Sequence, residues 1–224
     1  MPPTPPEPTM VADNAAPRTT PGRGGTGQPG ATLPAAGGRR SHWLREGVVV
    51  VVVALAVALL LRTFVVQTFF IPSGSMEPTL QIGDRILVDK LSYHLHGVHR
   101  GDIVVFARPP FENCGGPPVD DLVKRVIGLP GDTLWLFGGN VYIDGKRLDE
   151  TWLPASEKGL TSQGPAGSAT NLARPYHVPP DRYFVMGDNR QDSCDSRYWG
   201  PIPRSLIVGK VELRVWPLSA LHLF

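Results

Sequence analysis

Apolar residues follow two different patterns along the chain. From Gly47 to Leu61 every side chain is uncharged and almost all are apolar, which predicts a helix without a polar face. After about Gln67, short runs of Val, Ile and Leu are separated by Gly, Pro and Asp, a pattern typical of strands and turns. We therefore expect one N-terminal helix followed by a mostly β domain.

Seven apolar runs predict strands in the second part of the chain. They are Arg85–Val88, Asp102–Phe106, Leu122–Ile127, Thr133–Phe137, Val141–Ile143, Arg182–Met186 and Ile207–Trp216. Asp144-Gly145 and Gly138-Gly139-Asn140 predict hairpin turns on the two sides of Val141–Ile143. Residues 151–180 are rich in Gly, Pro, Ser and Thr and predict a long irregular segment. The sequence therefore indicates a largely antiparallel β fold.

The apolar run near the N-terminus predicts a transmembrane helix over residues 43–66. The uncharged run alone is shorter than the roughly 20 residues that a bilayer requires, but Trp43 and Leu44 extend it at one end and residues 64–66 at the other. A cleaved signal peptide is the alternative, because Ala54-Leu55-Ala56 resembles a cleavage motif. That triplet lies inside the apolar run and no polar segment follows it, which favours a retained anchor.

Charge and composition indicate the orientation of this anchor and the class of partner. Arg39, Arg40 and Arg45 precede the span, which predicts a cytoplasmic N-terminus and places everything after the helix outside. Residues 1–38 are dominated by Pro, Gly, Ala and Thr and predict a disordered cytoplasmic tail. Because the formal net charge is +2 and no stripe of Lys and Arg crosses the β part, we expect no nucleic-acid partner.

Ser75 is a candidate nucleophile, and such a serine needs a base. None of the six histidines is placed persuasively for this role. His94, His96 and His99 form the one cluster, but no Cys or paired acidic motif supplies obvious further metal ligands, so we interpret it as a polar loop rather than a zinc site.

Lys124 is the alternative candidate base, provided that burial keeps its amine neutral. Strand alternation places Lys124 on one face with Leu122 and Val126, and Arg125 on the other face. Periodicity does not say which face is buried, but a guanidinium stays protonated and cannot accept a proton. A lysine whose amine reaches out to solvent is the ordinary alternative for such a pattern.

Several motifs, taken together and in this order, resemble the bacterial type I signal peptidases, membrane-bound Ser-Lys endopeptidases that remove signal peptides from exported proteins. After the apolar span, they are Pro72–Thr79 (PSGSMEPT), Gly101–Phe106 (GDIVVF), Lys124–Asp132 (KRVIGLPGD), Gly187–Arg190 (GDNR) and Ser193–Gly200 (SCDSRYWG). The lack of a lysine at Pro78 excludes the Ser-x-x-Lys arrangement of penicillin-binding enzymes.

The resemblance implies roles for four catalytic residues. Ser75 would be the nucleophile, and Lys124 the general base that later supplies a proton to the leaving amine. The Ser73 hydroxyl would join the backbone N–H of Ser75 in stabilising the oxyanion, and Ser193 would hydrogen-bond and orient the lysine. The resemblance further implies supporting roles for three residues, namely Asp188 in shaping a turn, and Asp195 and Arg197 as an ion pair.

The resemblance also implies the substrate and its binding residues. Signal peptides present small residues, usually as Ala-x-Ala, to shallow apolar pockets, and the substrate backbone would lie extended beside the strands that lead to Ser75 and Lys124. The implied pocket residues are Phe69, Ile71, Met76, Leu80, Ile86 and Val123, for which plain core packing is the alternative. The implied partners are the signal peptides of secreted preproteins, membrane lipid and the export translocon, with no cofactor and no metal.

By the same resemblance, residues 67–132 and 181–224 would form the catalytic β core, and residues 133–180 a variable insertion. Cys114 and Cys194 both fall in the part predicted to lie outside the membrane, where disulfides are permitted. A bridge between them would tie the loop of Cys114 to the rim of the active site, but an even count of cysteines does not establish their proximity.

Two other classes of protein are compatible with parts of the pattern. A self-cleaving Ser-Lys repressor shares the catalytic logic, but it would need a DNA-binding helical domain where this chain has a tail and an apolar helix. A catalytically inactive, membrane-anchored β domain that binds extended peptides is the second, because a fold does not establish an activity.

Overall fold

The structure is a computed structural model that describes residues 39–112, 114–115, 119–164, 168 and 170–224. The predicted tail 1–38 lies outside the described residues. The chain divides into two compact units, residues 1–47 and 48–224. The described part of the first unit is the beginning of the N-terminal helix, and the second contains the β structure.

Helix α1 runs from Arg39 to Phe64, and its described side chains, from Trp43 to Leu59, are exposed. Within the part of the chain that the structure describes, no helix meets the length and apolarity that a membrane span requires. The predicted end of the helix lies two residues too far along the chain, because Val66 already belongs to a strand and pairs with Asp89. Cross-strand backbone hydrogen bonds therefore replace helical ones at this point.

Twelve strands and two short helices follow α1 in the described residues. The strands are β1 (Val66–Phe70), β2 (Arg85–Asp89), β3 (Ile103–Ala107), β4 (Asp121–Gly128), β5 (Thr133–Phe137), β6 (Asn140–Ile143), β7 (Lys146–Arg147), β8 (Tyr176–His177), β9 (Arg182–Met186), β10 (Ile202–Pro203), β11 (Ile207–Trp216) and β12 (His222–Leu223). The short helices are α2 (Ser92–Leu95) and α3 (Ser196–Trp199).

The strands form two sheets in which every pairing is antiparallel, which confirms the predicted mostly β, antiparallel class. The larger sheet has the order β1-β2-β11-β3-β4-β9-β10, and β12 pairs with β11 at the side of this path. The smaller sheet has the order β7-β6-β5-β8. In the larger sheet β4 is an inner strand, since β3 pairs with one of its edges and β9 with the other.

All seven predicted strands are present to within a residue or two. Sequence reasoning missed five others, four of which have only two residues and therefore carry no periodic signal. The fifth is β1, whose apolar residues continue the apolar run of α1 without a turn signal. One missed strand, Tyr176–His177, lies inside the segment predicted to be irregular and pairs with β5.

Both predicted hairpin turns are confirmed. Asp144 and Gly145 join β6 to β7 with φ angles of 49° and 85°, the two positive values that a type I′ turn requires. Gly138 and Gly139 join β5 to β6 with φ angles of 55° and 74°. Glycine and aspartate tolerate these angles better than most residues do, which explains why the sequence signal was clear.

Both faces of β4 are covered by hydrophobic clusters. On one side Val126 packs with Val104, Phe106 and Val185. Ile127 belongs to a second cluster that also contains residues of the smaller sheet. A side chain at Gly128 would lie only 2.6 Å from Leu134, so glycine permits this close approach. The result is that the second half of β4 is buried on both faces.

Candidate active site

Ser75 lies in a single 3-10 turn, Gly74–Met76, a few residues after β1. Met76 is almost completely buried and packs with Ile71 in a third hydrophobic cluster, so the two residues anchor the turn from both sides. The backbone N–H of Asn189 donates to Ser75 O, and its side-chain amide donates to Gly74 O, both at 3.2 Å. The turn is therefore fixed while Ser75 itself remains partly accessible.

Lys124 lies in the middle of β4, paired with Val104 of β3, and is only 4% exposed. Its Nζ atom is 2.5 Å from Ser75 Oγ. Burial lowers the pKa of Lys124 to about 8 from its ordinary value of 10.5, although the negative charges of Asp195 and Asp188 oppose this change. Roughly one-tenth of the amine is therefore neutral at pH 7, far more than for a solvated lysine.

Arg125, the next residue on β4, is buried to nearly the same extent. Its guanidinium forms a bidentate ion pair with Asp188, with Nε and NH2 at 2.9 and 2.7 Å from the two carboxylate oxygens. It also donates to Gly101 O at 2.7 Å and lies over the ring of Trp152. The charge of Arg125 is thus compensated, whereas Lys124, also buried, has no carboxylate within ion-pair distance among the residues that the structure describes.

The predicted supporting residues surround this pair of cations. Asp188 also accepts a hydrogen bond from Thr79 Oγ1 at 2.6 Å, which connects the serine turn to β4 through Arg125. Asp195 and Arg197 form a second bidentate ion pair, at 2.8 and 2.7 Å. Burial would raise the pKa of Asp195, but Arg197 outweighs this effect and holds that pKa below its usual value. Asp195 therefore stays ionised.

The two further serines implied by the resemblance differ in their surroundings. Ser73 is exposed, and its Oγ lies 3.4 Å from Ser75 Oγ, longer than an ordinary bond between hydroxyl groups. Ser193 Oγ is buried and has no hydrogen-bond partner in the described part of the chain. The expected hydrogen bond from Ser193 to Lys124 is therefore not formed in this structure, although Ser193 lies beside Gly187, next to the serine turn.

A cleft of about 330 Å³ opens onto Ser75 and Lys124. Four of the six predicted pocket residues line it, namely Phe69, Ile71, Met76 and Val123. The other two, Leu80 and Ile86, are not in its lining. Both are completely buried and pack in the cluster of Ile71 and Met76, so for them the core-packing alternative describes the structure.

Cys114 and Cys194 are joined by a disulfide, with their Cα atoms 6.1 Å apart, within the range that such a bridge allows. Both residues also line the cleft. The bridge therefore connects the segment before β4 to the segment that carries Ser193 and Asp195.

Comparison with known proteins assigns the chain to a family. The family model described as "Signal peptidase, peptidase S26" matches residues 44–216. The chain belongs to this signal peptidase family. The match includes the serine turn, all of β4 and the segment from Gly187 to Trp199, so it covers the whole of the site described above.

Individual relatives agree with this assignment to the signal peptidases. "Probable signal peptidase I-2" of Synechocystis sp. is 43% identical over 184 residues, which are 81% of this chain and 77% of that protein. "Signal peptidase I" of Leptolyngbya laminosa is 37% identical over 211 residues, 94% of each chain. A crystal structure of a signal peptidase I from Enterococcus faecalis V583 is 32% identical and covers 51% of this chain and 97% of that chain, with a TM-score of 0.37.

Sequence reasoning missed three charged residues that line the cleft, Arg108, Glu112 and Asp121. Arg108 and Glu112 form an ion pair, with Nε 2.5 Å from the carboxylate, and Asp121 lies at the start of β4. Burial and the neighbouring Asp120 raise the pKa of Asp121. A basic and an acidic residue four positions apart can form an ion pair, but this spacing is informative mainly in helices. No helix was predicted around Arg108 and Glu112.

The structure also locates the residues that could share a metal ion. Within the described ranges, the one group of suitable side chains consists of Glu112, Cys114 and Cys194, and the disulfide occupies both sulfur atoms. The predicted loop histidines form no such group there. The rings of His96 and His99 lie 5.5 Å apart.

Proposed function

We propose that this chain is a membrane-anchored serine endopeptidase that removes N-terminal signal peptides from exported preproteins, with Ser75 as nucleophile and Lys124 as general base. The observation that carries the proposal is the 2.5 Å separation of Ser75 Oγ from an amine that is buried and has a lowered pKa. A hydroxyl beside a neutral amine is the arrangement that a Ser-Lys hydrolase requires.

The reaction begins with transfer of the Ser75 hydroxyl proton to the neutral amine of Lys124 as Oγ attacks the scissile carbonyl carbon. The C–N bond of the tetrahedral intermediate then breaks, and the ammonium group returns its proton to the leaving amine. In the second half, Lys124 accepts a proton from water, the resulting hydroxide attacks the acyl-enzyme, and the proton goes back to Ser75 Oγ. Lys124 ends each cycle neutral.

The oxyanion of the intermediate is stabilised by the backbone N–H of Ser75 and by the Ser73 hydroxyl. Support for the role of Ser73 comes from its position, because its Oγ is near Ser75 Oγ, is exposed to the cleft and makes only a long contact there. Such a hydroxyl is free to turn toward a developing negative charge. Removal of one donor of this kind costs about 3 to 4 kcal/mol of barrier, so Ser73→Ala should lower kcat by roughly 10²- to 10³-fold.

Cleavage after small residues, as in Ala-x-Ala, follows from the shape of the cleft in this proposal. Ile71 and Met76 are fixed by core packing and Val123 by its strand, so the apolar wall beside Ser75 cannot retreat to admit a large side chain. An extended peptide would add its backbone to the strands beside the cleft, with alternate side chains toward this wall.

The anchoring part of the proposal rests on α1. Many of its described apolar side chains, among them Trp43, Val50 and Leu55, are largely exposed, and membrane lipid is a solvent that suits exposed apolar side chains. We propose a cytoplasmic N-terminus and a catalytic domain on the outer side, near the translocon that would deliver precursors. Alkaline extraction of membranes from cells that express the full chain or residues 65–224 tests anchoring. Recovery of both forms in the soluble fraction would contradict it.

The activity is tested by incubating the purified full chain with a precursor that carries Ala-x-Ala, and sequencing the new N-terminus of the product. We expect cleavage after the second Ala, loss of cleavage in Ser75→Ala, and full activity in Ser156→Ala, which changes an exposed serine far along the chain. If Ser75→Ala binds the precursor and cleavage is absent even in the unmodified chain, the peptide-binding alternative is correct.

A further inference from the structure

Two buried arginines of the segment Gly187–Arg197 are held by the segment that connects β7 to β8. The first is Arg190, which has no exposed surface and forms an ion pair with Glu150, itself only 6% exposed. Arg190 also donates to Thr161 Oγ1 at 3.1 Å. A buried cation without water needs a compensating charge, and in the described part of the chain Glu150 is the one carboxylate within ion-pair distance of Arg190.

The second arginine is tied to the same connecting segment. Arg197 donates to the backbone and hydroxyl oxygens of Ser162 at 3.0 and 3.2 Å, and to Arg190 O at 2.7 Å. The single hydroxyl hydrogen of Thr170 is shared between Ser196 O and Arg197 O, which lie 3.0 and 2.9 Å from its Oγ1 atom. The connecting segment therefore binds Gly187–Arg197 at two points, Arg190 and Arg197. Ser193, to which the family resemblance gives a catalytic role, lies between these points.

Gly187 connects this network to the nucleophile. Its carbonyl accepts from Arg190 Nε at 3.0 Å and its N–H donates to Asp195 Oδ2 at 3.0 Å. A Cβ atom at Gly187 would lie 2.3 Å from Ser75 O, so the backbone of Gly187 is in direct contact with the serine turn. A displacement of Gly187 would therefore move Ser75 relative to Lys124.

We propose that Glu150 is a positioning residue for the reaction. Its carboxylate pairs with Arg190, and Arg190 donates to the carbonyl of Gly187, whose backbone lies next to the turn of Ser75. This inference rests on the proposed function of the chain. Glu150 does not line the cleft and touches neither Ser75 nor Lys124, so it acts on the geometry of the two reacting groups and not on substrate binding.

The test compares Glu150→Gln with Asp149→Asn in cleavage of the Ala-x-Ala precursor by the full chain. The Gln side chain keeps the size of Glu and one acceptor oxygen but removes the charge. Asp149 is the matched control, because its carboxylate is next in the sequence yet 83% exposed and forms only a 3.9 Å ion pair with Lys158. Both variants are assayed well below their unfolding temperatures, with the folded fraction measured by circular dichroism.

For Glu150→Gln we expect kcat per folded molecule to fall by roughly 10- to 100-fold, which is the effect of a small misplacement of reacting groups. KM should change by less than about twofold, because the substitution leaves the wall of the cleft unchanged. Asp149→Asn should match the unmodified chain. If Glu150→Gln does not fold, Thr161→Val removes one bond to Arg190 without a change of charge, and kcat should fall about threefold, the effect of one lost hydrogen bond.

An unchanged kcat in folded Glu150→Gln, or in Thr161→Val where that variant replaces it, would overturn the positioning role, and so would a loss confined to KM. These outcomes differ from a failure of the proposed function, in which the unmodified chain itself would not cleave the precursor.

Discussion

Lys124 and Arg125 are adjacent on β4 and buried to nearly the same extent. A buried positive charge is unfavourable for both, but the two side chains have different partners on the two faces of the strand. Arg125 has a bidentate carboxylate partner, a carbonyl and an aromatic ring. Lys124 has a serine hydroxyl. The first environment compensates the permanent charge of the guanidinium, while the second favours the neutral form of the amine.

In the proposed mechanism, this difference lets one strand carry both a structural connection, at Arg125, and the proposed base, Lys124. Burial lowers the pKa of the Lys124 amine, whereas a guanidinium such as that of Arg125 stays protonated in any protein environment. The ion pair of Arg125 with Asp188, which also binds Thr79, joins β4 to the residues after the serine turn. The pKa of the Lys124 amine, by contrast, is lowered to about 8. Four predictions test this contrast.

The largest expected effect is on catalysis by Lys124→Met, which keeps the length of the side chain but has no base. We expect the cleavage rate to fall by roughly 10³- to 10⁴-fold, near the upper range for loss of a general base. Lys146→Met, which changes an exposed lysine at the start of β7, should keep full activity. Initial rates of precursor cleavage measure both, and substantial activity in Lys124→Met would exclude the lysine as the base.

The second prediction concerns the stability of the fold and Arg125, on the face of β4 opposite Lys124. Arg125→Met leaves the fully buried Asp188 without its partner, so we expect the free energy of unfolding to fall by about 3 to 5 kcal/mol. Arg174→Met, a change at an exposed position, should be nearly neutral. Denaturant unfolding of the two variants measures this, and equal midpoints would show that the Arg125–Asp188 pair contributes no stability.

The same substitution at Lys124 should change stability in the opposite direction. Below pH 8 the folded protein must hold a buried ammonium group with no close counterion, so Lys124→Met is expected to raise the free energy of unfolding by about 1 to 4 kcal/mol at pH 7. Because the folded pKa is about 8 and the ordinary value 10.5, the gain is complete below pH 8 and disappears as the pH rises toward 10.5. A loss of stability at pH 7 would contradict this account.

The smallest effect is the pH dependence of the unmodified chain. The base must be neutral, so kcat/KM should rise about tenfold per pH unit below an apparent pKa near 8 and level off above it. At pH 7 roughly one-tenth of the amine is then neutral. A profile that is flat from pH 6 to 9, measured at fixed ionic strength, would mean that Lys124 does not control the rate.

Much of the fold and part of the site were predictable from local signals. The strands that carry Lys124 and Ile207–Trp216 have clear apolar runs, and the turns at Asp144-Gly145 and Gly138-Gly139 require residues that tolerate positive φ angles. The end of α1 was not predictable, because the apolar residues of β1 suit a helix and a strand equally well. Leu80 and Ile86 were assigned to the cleft by the family resemblance, and the apolar pattern could not correct this, since an apolar residue has the same pattern in a pocket wall and in a core.

The amino-acid sequence by itself determined the β class, the family resemblance and the choice of a lysine over an arginine as the candidate base, since these follow from residue type, spacing and side-chain chemistry. Only the tertiary structure decided which buried cation receives a carboxylate, which serine lies 2.5 Å from the amine, and that Glu150 compensates Arg190. Such pairings join residues from distant parts of the chain, and burial and electrostatic compensation depend on everything that packs around a group, which no local pattern records.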